Sequence, residues 1–293
     1  MGWLRKILLK LYVDGILQKT YESDGTRNTI DIKFEVSKDS VGNPNESTVV
    51  LGNASPKTKS FFLSLTNKQK VTVELFVGYE NEGLFLLSKG DLIKLFPERQ
   101  SSQDSFTLTY LDAFEAICNA HLEKEFPGGT SIEEIVLTLA NSYKDYGVQV
   151  NRSKIHVDGN IGKRTFTVSG KTSQTLDQLA SSYNFTWSIQ DGVFQAYNDK
   201  IVKNPGKAVY NVSVAHKNLL KATPELGEKY MQQIGMKIEA ILNPKCRCGD
   251  IIHLESGTYP SYNGDYEIFN LQFNGGTKDV DWKMTIDSKT IVK

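Results

Sequence analysis

The chain has 293 residues, 39% of them hydrophobic, with 13 Tyr and 14 Phe, and its 34 basic residues are matched by 34 acidic ones. That length suits about two domains, and the zero balance argues against a dedicated nucleic-acid binder, which carries a basic stripe, while leaving room for local patches. Three cysteines, Cys118, Cys246 and Cys248, are an odd set that makes no disulfide framework and points to folding in a reducing compartment.

At the start, Met1–Val13 has two early positive charges and an apolar run, as a signal peptide does. Lys10 interrupts that run, Asp14 follows closely and no small-residue cleavage site appears. Ile7–Val13 therefore reads as a strand and Asp14–Gly15 as a turn. No stretch approaches the roughly 18 uninterrupted apolar residues of a membrane span. A β-rich block follows, Asn28–Val36 and then Ser47–Ala54. Ile30, Ile32, Phe34 and Val36 alternate with Asp31, Lys33 and Glu35, a period of two with one buried face. Ser55–Pro56 opens one or two helical turns, Pro being tolerated at the first helical position. Val71, Val73, Leu75 and Val77 alternate again, and Gly83 and Gly90–Asp91 punctuate strands at Leu84–Leu87 and Leu92–Phe96. Pro97–Ser105 reads as a polar linker.

From there the pattern changes. Phe106–Tyr110 is a strand. Asp112 caps a helix with Phe114, Ile117, Cys118 and Leu122 on one side, ended by Pro127–Gly128–Gly129. Thr130 with Glu133 forms a capping box, and Ile132, Ile135, Val136, Leu139 and Tyr143 make the buried stripe of the helix that follows. A third helix runs from about Ser173 to Tyr183 with Leu176, Leu179, Ala180 and Tyr183 inward. Asp191–Gly192, between Phe185–Ile189 and Val193–Tyr197, is a hairpin turn. The stretch Lys221–Met236 is loop-like. Strands return at Gly235–Leu242, Asp250–Ser256, Asp265–Phe273 and Val280–Asp287, with turns at Gly249, Asn263–Gly264 and Gly275–Gly276. The expected fold class is mixed β and α+β: two β-barrel domains, residues 1–98 and 201–293, flanking an α+β middle domain, residues 99–200.

Taken in order, IDIKFEVSKDSVGNPNESTVVLGNASPKTKSFF, FTLTYLDAFEAICNAHLEKEFPGGTSIEEIVLTLANSYKDYGV, SGKTSQTLDQLASSYNFTWSIQDGVFQAYN and ILNPKCRCGDIIHLESG with YNGDYEIFNLQFNGGTKDVDWKMTIDSK resemble the baseplate hub (tail hub) protein of contractile-tailed bacteriophages and related contractile injection systems. The resemblance covers most of the chain: a first barrel, a strand–helix–hinge–helix segment, a compact helix-plus-hairpin unit and a closing barrel. Cys246–Cys248 depart from it, since that family usually carries uncharged or apolar residues there. The resemblance implies a homotrimer in which two barrels per chain build a pseudo-six-fold ring between the tail tube, or its initiator protein, and the central spike. It also implies contacts with other baseplate proteins, DNA passing without specific binding, no membrane anchor, and a place in the virion tail baseplate after assembly in the host cytoplasm. Barrel rims with unpaired strands suit pairing between copies, and a neutral chain suits passage better than clamping.

Candidate chemistry is weighed against that structural role. Cys246, Cys248 and His253 are potential metal ligands, but C-x-C without a second ligand pair reads as structural thiols. His121 (on a helix), His156, His216 and His253 lie outside any nucleophile motif. Glu123 with Glu125, and Glu133 with Glu134, are carboxylate pairs on helices that read as solvated faces rather than a glycosidase pair. No phosphate-loop glycine pattern occurs. Trp187 and Tyr183 could stack on a sugar, in a unit with a LysM-like outline, but read better as core; Trp3 and Trp282 read as core or interface anchors. The reading is therefore a non-enzyme with no catalytic, metal or cofactor-binding residue and no cofactor. The alternatives are a tail-tip peptidoglycan hydrolase or a glycan-binding module.

Overall fold

A computed structural model of the chain describes residues 4–26, 29–39, 42, 44–100, 103–198, 208–226, 233–278 and 281–291. Trp3, Asn28 and Val280, each placed in an element or a packing role by the sequence, lie outside the described residues. The chain divides into two compact units. One comprises Met1–Asp39, Glu46–Leu111 and Pro205–Lys293, and the other Ser40–Asn45 and Asp112–Asn204.

In the first unit, β1 (Arg5–Val13) and β2 (Ile16–Ser23) form a hairpin. Its turn residues Asp14 and Gly15 both take positive φ, as a two-residue hairpin turn requires. β3 (Asp31–Asp39) and β4 (Glu46–Gly52) follow, with Ile32, Phe34 and Val36 buried as their alternation demands. Then come α1 (Pro56–Ser64) and β5 (Val71–Tyr79). Ser55 caps α1, its hydroxyl accepting from the Thr58 amide at 3.2 Å. The two short strands expected around Gly90 are one long strand, β6 (Gly83–Gln100), paired with β7 (Gln103–Leu111). Pro97–Ser105 is therefore the end of a long hairpin rather than a linker (residues 101–102 lie outside the described residues). Cross-strand pairs such as Leu95–Leu108 supply what a glycine and proline count misses.

The second unit continues with α2 (Phe114–Asn119), β8 (His121–Phe126), α3 (Ile132–Asn141), β9 (Gln149–His156), β10 (Phe166–Lys171), α4 (Thr172–Tyr183), β11 (Phe185–Gln190) and β12 (Val193–Asn198). The stripe predicted for α3 is buried in full. Its cap is Ser131 rather than Thr130, the Ser131 hydroxyl accepting from the Glu134 amide at 3.3 Å. Leu122 belongs to β8, so the helix before it is shorter than its spacing suggested. β8 pairs with β10, β11 pairs with β12, and β9 runs parallel to β12. Trp187 lies stacked 6.0 Å from Phe194 and 6.4 Å from Tyr143 at the centre of this unit's core. Gly42 rests on the Trp187 indole, and a β-carbon there would fall 2.7 Å from the ring.

The chain then returns to the first unit. β13 (Val209–Ser213), β14 (Leu219–Leu226), β15 (Gln233–Ile241), β16 (Ile251–Glu255), β17 (Gly264–Gly276) and β18 (Trp282–Thr290) join the strands from the first third. The stretch expected as a loop from Lys221 to Met236 is mostly strand, with residues 227–232 outside the described residues. Gly275 and Gly276 sit within β17 rather than in a turn. At Gly275 a β-carbon would meet the rings of Phe34 and Trp282 at 2.8 Å each, which is why glycine stands there.

These strands make one 13-stranded sheet in the order β14-β15-β18-β17-β3-β4-β7-β6-β5-β1-β2, with β16 also on β17 and β13 on β16. The joint is β17. On one side it pairs with β18 along most of its length; on the other, Gly264–Glu267 pair with β16 and Asn270–Gly276 with β3. Expected as two separate barrels, the first and last thirds share a strand ladder and one core. No pairing among the described residues closes either half into a barrel. The protein is mostly β, built on a large, predominantly antiparallel sheet.

Candidate functional site

The chemistry-bearing residues of the sequence do not converge. Cys246 and Cys248 lie in the loop between β15 and β16, not on a strand face. Cys246 is fully buried, and desolvation pushes its thiol far up, Asp250 adding to the effect, so a thiolate is strongly disfavoured. Cys248 donates to the Lys38 carbonyl at 3.5 Å. His253, on β16, has Nδ1 2.6 Å from Asp265 Oδ1 and Nε2 3.6 Å from Glu255. The hydrogen bond it donates to the Asp265 carboxylate holds that imidazole above its usual range. Among the described residues no group of three or more His, Cys, Asp or Glu is arranged to hold a metal.

His121 is on strand β8 rather than a helix, Nδ1 2.6 Å from the Asn119 carbonyl. His156 Nε2 lies 3.0 Å from the Ser153 carbonyl, and its ring 5.7 Å from Tyr197. His216 makes a contact that the residue spacing left unremarked: Nδ1 is 2.7 Å from the Ser213 hydroxyl. That hydroxyl is buried and accepts from the His216 amide at 3.1 Å, so the pair closes a turn after β13 instead of presenting a nucleophile. Glu123 and Glu125 are exposed on β8, again a strand, beside Thr167 and Ser169. Glu133 binds Arg152 at 2.9 Å in the first turn of α3. A glycosidase acid needs an apolar pocket around one carboxyl; these four are not so placed. Trp187 is 3% exposed and donates from Nε1 to Asp177 at 2.9 Å, and Tyr183 is half-buried against the same core. Trp187 offers no free ring face of the kind a sugar stacks on.

Asp112, expected as a helix cap, is buried and does something else. Its carboxylate accepts from the amides of Asp191, at 2.5 Å, and Gly192, at 3.1 Å. It thereby holds the β11–β12 turn, whose residues both take positive φ. No sequence signal links positions 80 residues apart.

What the first unit does offer is a seam and a set of strand edges. At the seam Trp282 Nε1 donates to Tyr79 at 2.9 Å, and the Tyr79 hydroxyl donates to the Leu242 carbonyl at 2.8 Å. Burial pushes Tyr79 up to about 12, so the hydroxyl keeps its proton. Phe34 meets the Trp282 ring edge-on at 5.7 Å and the Arg5 guanidinium lies 5.3 Å from it. Arg247 reaches from the β15–β16 loop to the Leu86 carbonyl at 2.8 Å. The two ends of the chain are thus locked by polar contacts inside one core.

Among the described residues the sheet path ends at β2 on one side and β14 on the other, and β13, paired with β16, is a further edge off that path. Such edges present unpaired backbone groups to any strand that approaches. Ile16 and Leu17, at the β1–β2 turn, are exposed, as are Leu220 and Leu226 on β14, Ile234 on β15 and Val209 on β13. β14 also carries Pro224 and two register irregularities, features that blunt an edge. No helix among the described residues is long and apolar enough to cross a membrane.

The fold has known relatives. A tail protein from Neisseria meningitidis MC58 superposes with a TM-score of 0.62 at 10% identity, covering 97% of this chain and 96% of that one. The 43 kDa tail protein of prophage MuSo2 from Shewanella oneidensis gives 0.63 at 9% identity, covering 97% and 98%. The E. coli c3393 protein, a component of the type VI secretion system described as similar to the T4 tail proteins gp27 and gp5, gives 0.61 at 10% identity, covering 97% and 77%. A comparison with curated protein sequences returned no match. The sequence itself matches the family model for baseplate hub gp41 over residues 14–288. With nearly the whole chain inside that match, and a fold shared with tail proteins, the chain belongs to the baseplate hub gp41 family and is a structural tail protein of a phage or a related injection machine.

Proposed function

We propose that this chain is the homotrimeric hub of a baseplate, a pseudo-six-fold ring that joins the tail tube or its initiator protein to the central spike and lets DNA through. The observation that carries the reading is the fused sheet. The strands from the first and last thirds of the chain meet at one shared strand, β17, and in this reading they are the two halves of the hub, with Asp112–Asn204 in the middle unit. A unit with two such halves turns three copies into six similar positions. Open edges at β2 and β14 belong to different ends of the sheet, so contact between them is head-to-tail and closes into a ring when the rotation permits. Other baseplate proteins would dock around it in the virion tail, after assembly in the host cytoplasm.

The role asks for no catalysis, and the exposed carboxylates and turn-closing Ser213–His216 pair support a non-enzyme. The test is mass by light scattering at micromolar concentration, with the co-expressed spike. Three copies of the chain are expected; a monomer with the spike present sinks the proposal. Clearing of cell-wall substrate in a zymogram would instead favour the hydrolase.

A further inference from the structure

Five of the twelve exposed large apolar side chains among the described residues belong to one corner of the sheet: Val209 on β13, Val214 in the turn that follows, Leu220 and Leu226 on β14, and Ile234 on β15 beside it. β13 and β14 share that turn, residues 214–218, yet do not pair with each other. β13 is bonded to β16 alone, in parallel. The Ile251 amide donates to the Ala208 carbonyl at 2.9 Å and the Val214 amide to the Glu255 carbonyl at 3.4 Å, so alternate residues from Ala208 to Val214 serve β16. Val209, Asn211 and Ser213 turn their amides and carbonyls the other way.

On that free side one group already acts as a strand would. The Asn218 carboxamide donates from Nδ2 to the Asn211 carbonyl and accepts from the Ser213 amide, both at 2.9 Å. A side-chain amide so placed reproduces the two bonds a peptide group makes in a ladder. Beyond it, toward Val209, the edge stands open among the described residues. Other open edges carry charges or a proline that discourage an added strand: Lys19 and Glu22 on β2, Pro224 and Glu225 on β14, Arg152 and Lys154 on β9. β13, Val-Tyr-Asn-Val-Ser, has neither.

We infer that the β13 edge is the docking site for an uncharged, extended segment of another protein, which continues as a strand the bridge that Asn218 begins. The ring reading above assigns contact between copies to β2 and β14. The identity of the occupant rests on that reading, because β13 is the edge it leaves over. Main-chain bonds hold the segment, and its apolar side chains, at alternate positions, meet the exposed valines and leucines of this corner.

The test uses the full chain, its mass checked by light scattering with and without the spike. The probe is a short peptide with blocked ends, in which valine and threonine alternate between terminal lysines. Hydrogen exchange is followed residue by residue. Saturating peptide should slow exchange at Val209 and Asn211 about tenfold, while β2 and β14 change by less than about twofold. The same peptide with proline at its centre should protect neither. Val209→Lys puts a charge on the edge at an exposed position and should weaken the peptide about tenfold. Asn218→Ala uncovers the Asn211 carbonyl and the Ser213 amide, so protection by the peptide should spread to Ser213; if that variant loosens the turn, Val209→Lys still decides. Unchanged exchange on β13, or equal protection of β2 and β14, overturns the inference and leaves the ring reading intact. So does protection of β13 in three assembled copies without peptide, which makes this chain its own occupant. A chain that stays monomeric with its spike overturns the ring reading, whatever the peptide does.

Discussion

The two units bury their tryptophans in opposite ways. In the first, Trp282 bonds Tyr79, some 200 residues away, and packs on Phe34, so the core needs both ends of the chain at once. In the second, Trp187 is surrounded by Tyr143, Asp177 and Phe194, all within about 45 positions of it. Long-range strand pairing costs loop-closure entropy before it gains anything. The first unit should therefore form late and as a whole, and the second early and locally.

Paired tryptophan substitutions put the strongest strain on this contrast. Trp282→Ala removes the seam ring and leaves Tyr79 without its donor, a loss of about 3–5 kcal/mol. Trp187→Ala should cost about as much, but in the transition of the second unit. Urea unfolding followed by near-UV circular dichroism and by exchange at assigned amides checks both. Equal loss of protection in both units from either variant would break the contrast. For Trp187→Ala, an intact fold that merely loses cell-wall binding would revive the glycan reading.

Asp112→Ala should act next in size. It strips two amides of the β11–β12 turn of a charged acceptor, at about 1.5–3 kcal/mol. The measurement is the unfolding midpoint together with exchange at Asp191 and Gly192, where protection should fall first. Tyr143→Phe sharpens the picture from the other side. The Tyr143 hydroxyl is fully buried with no hydrogen-bond partner among the described residues, and burial pushes its ionisation far up. Removing it should change stability by less than about 1 kcal/mol and in the stabilising direction. A loss of more than that in the same urea titration would show that the hydroxyl has a partner.

The smallest effect belongs to His253. Asp265 raises its folded-state value, so the contribution is fully present below about pH 6.5, the ordinary imidazole value, and fades as pH rises through the raised one. The melting temperature of the wild type should fall slightly relative to His253→Gln across that window. Parallel curves from pH 5 to 8 would remove the pair from the list of stabilising contacts.

Local chemistry was legible in the residues themselves. Asp14–Gly15 and Asp191–Gly192 made their hairpins because both positions tolerate positive φ and little else does so as cheaply. The α3 stripe and the alternation in β3 named their buried residues, since face is set by a repeat of 3.6 or 2. Proline and glycine misled where pairing overrode them. Pro97 continues a strand because its partner ladder does, and Gly275 is in a strand because two rings leave no room for a side chain. Only the tertiary structure decided that Asp112 serves a turn 80 residues on, that β9 lies parallel to β12, and that β17 binds the first and last thirds into one sheet. A period of two tells which side of a strand is buried and says nothing about which strand lies beside it; that choice is made by contacts between residues distant in the chain, and no local pattern encodes it.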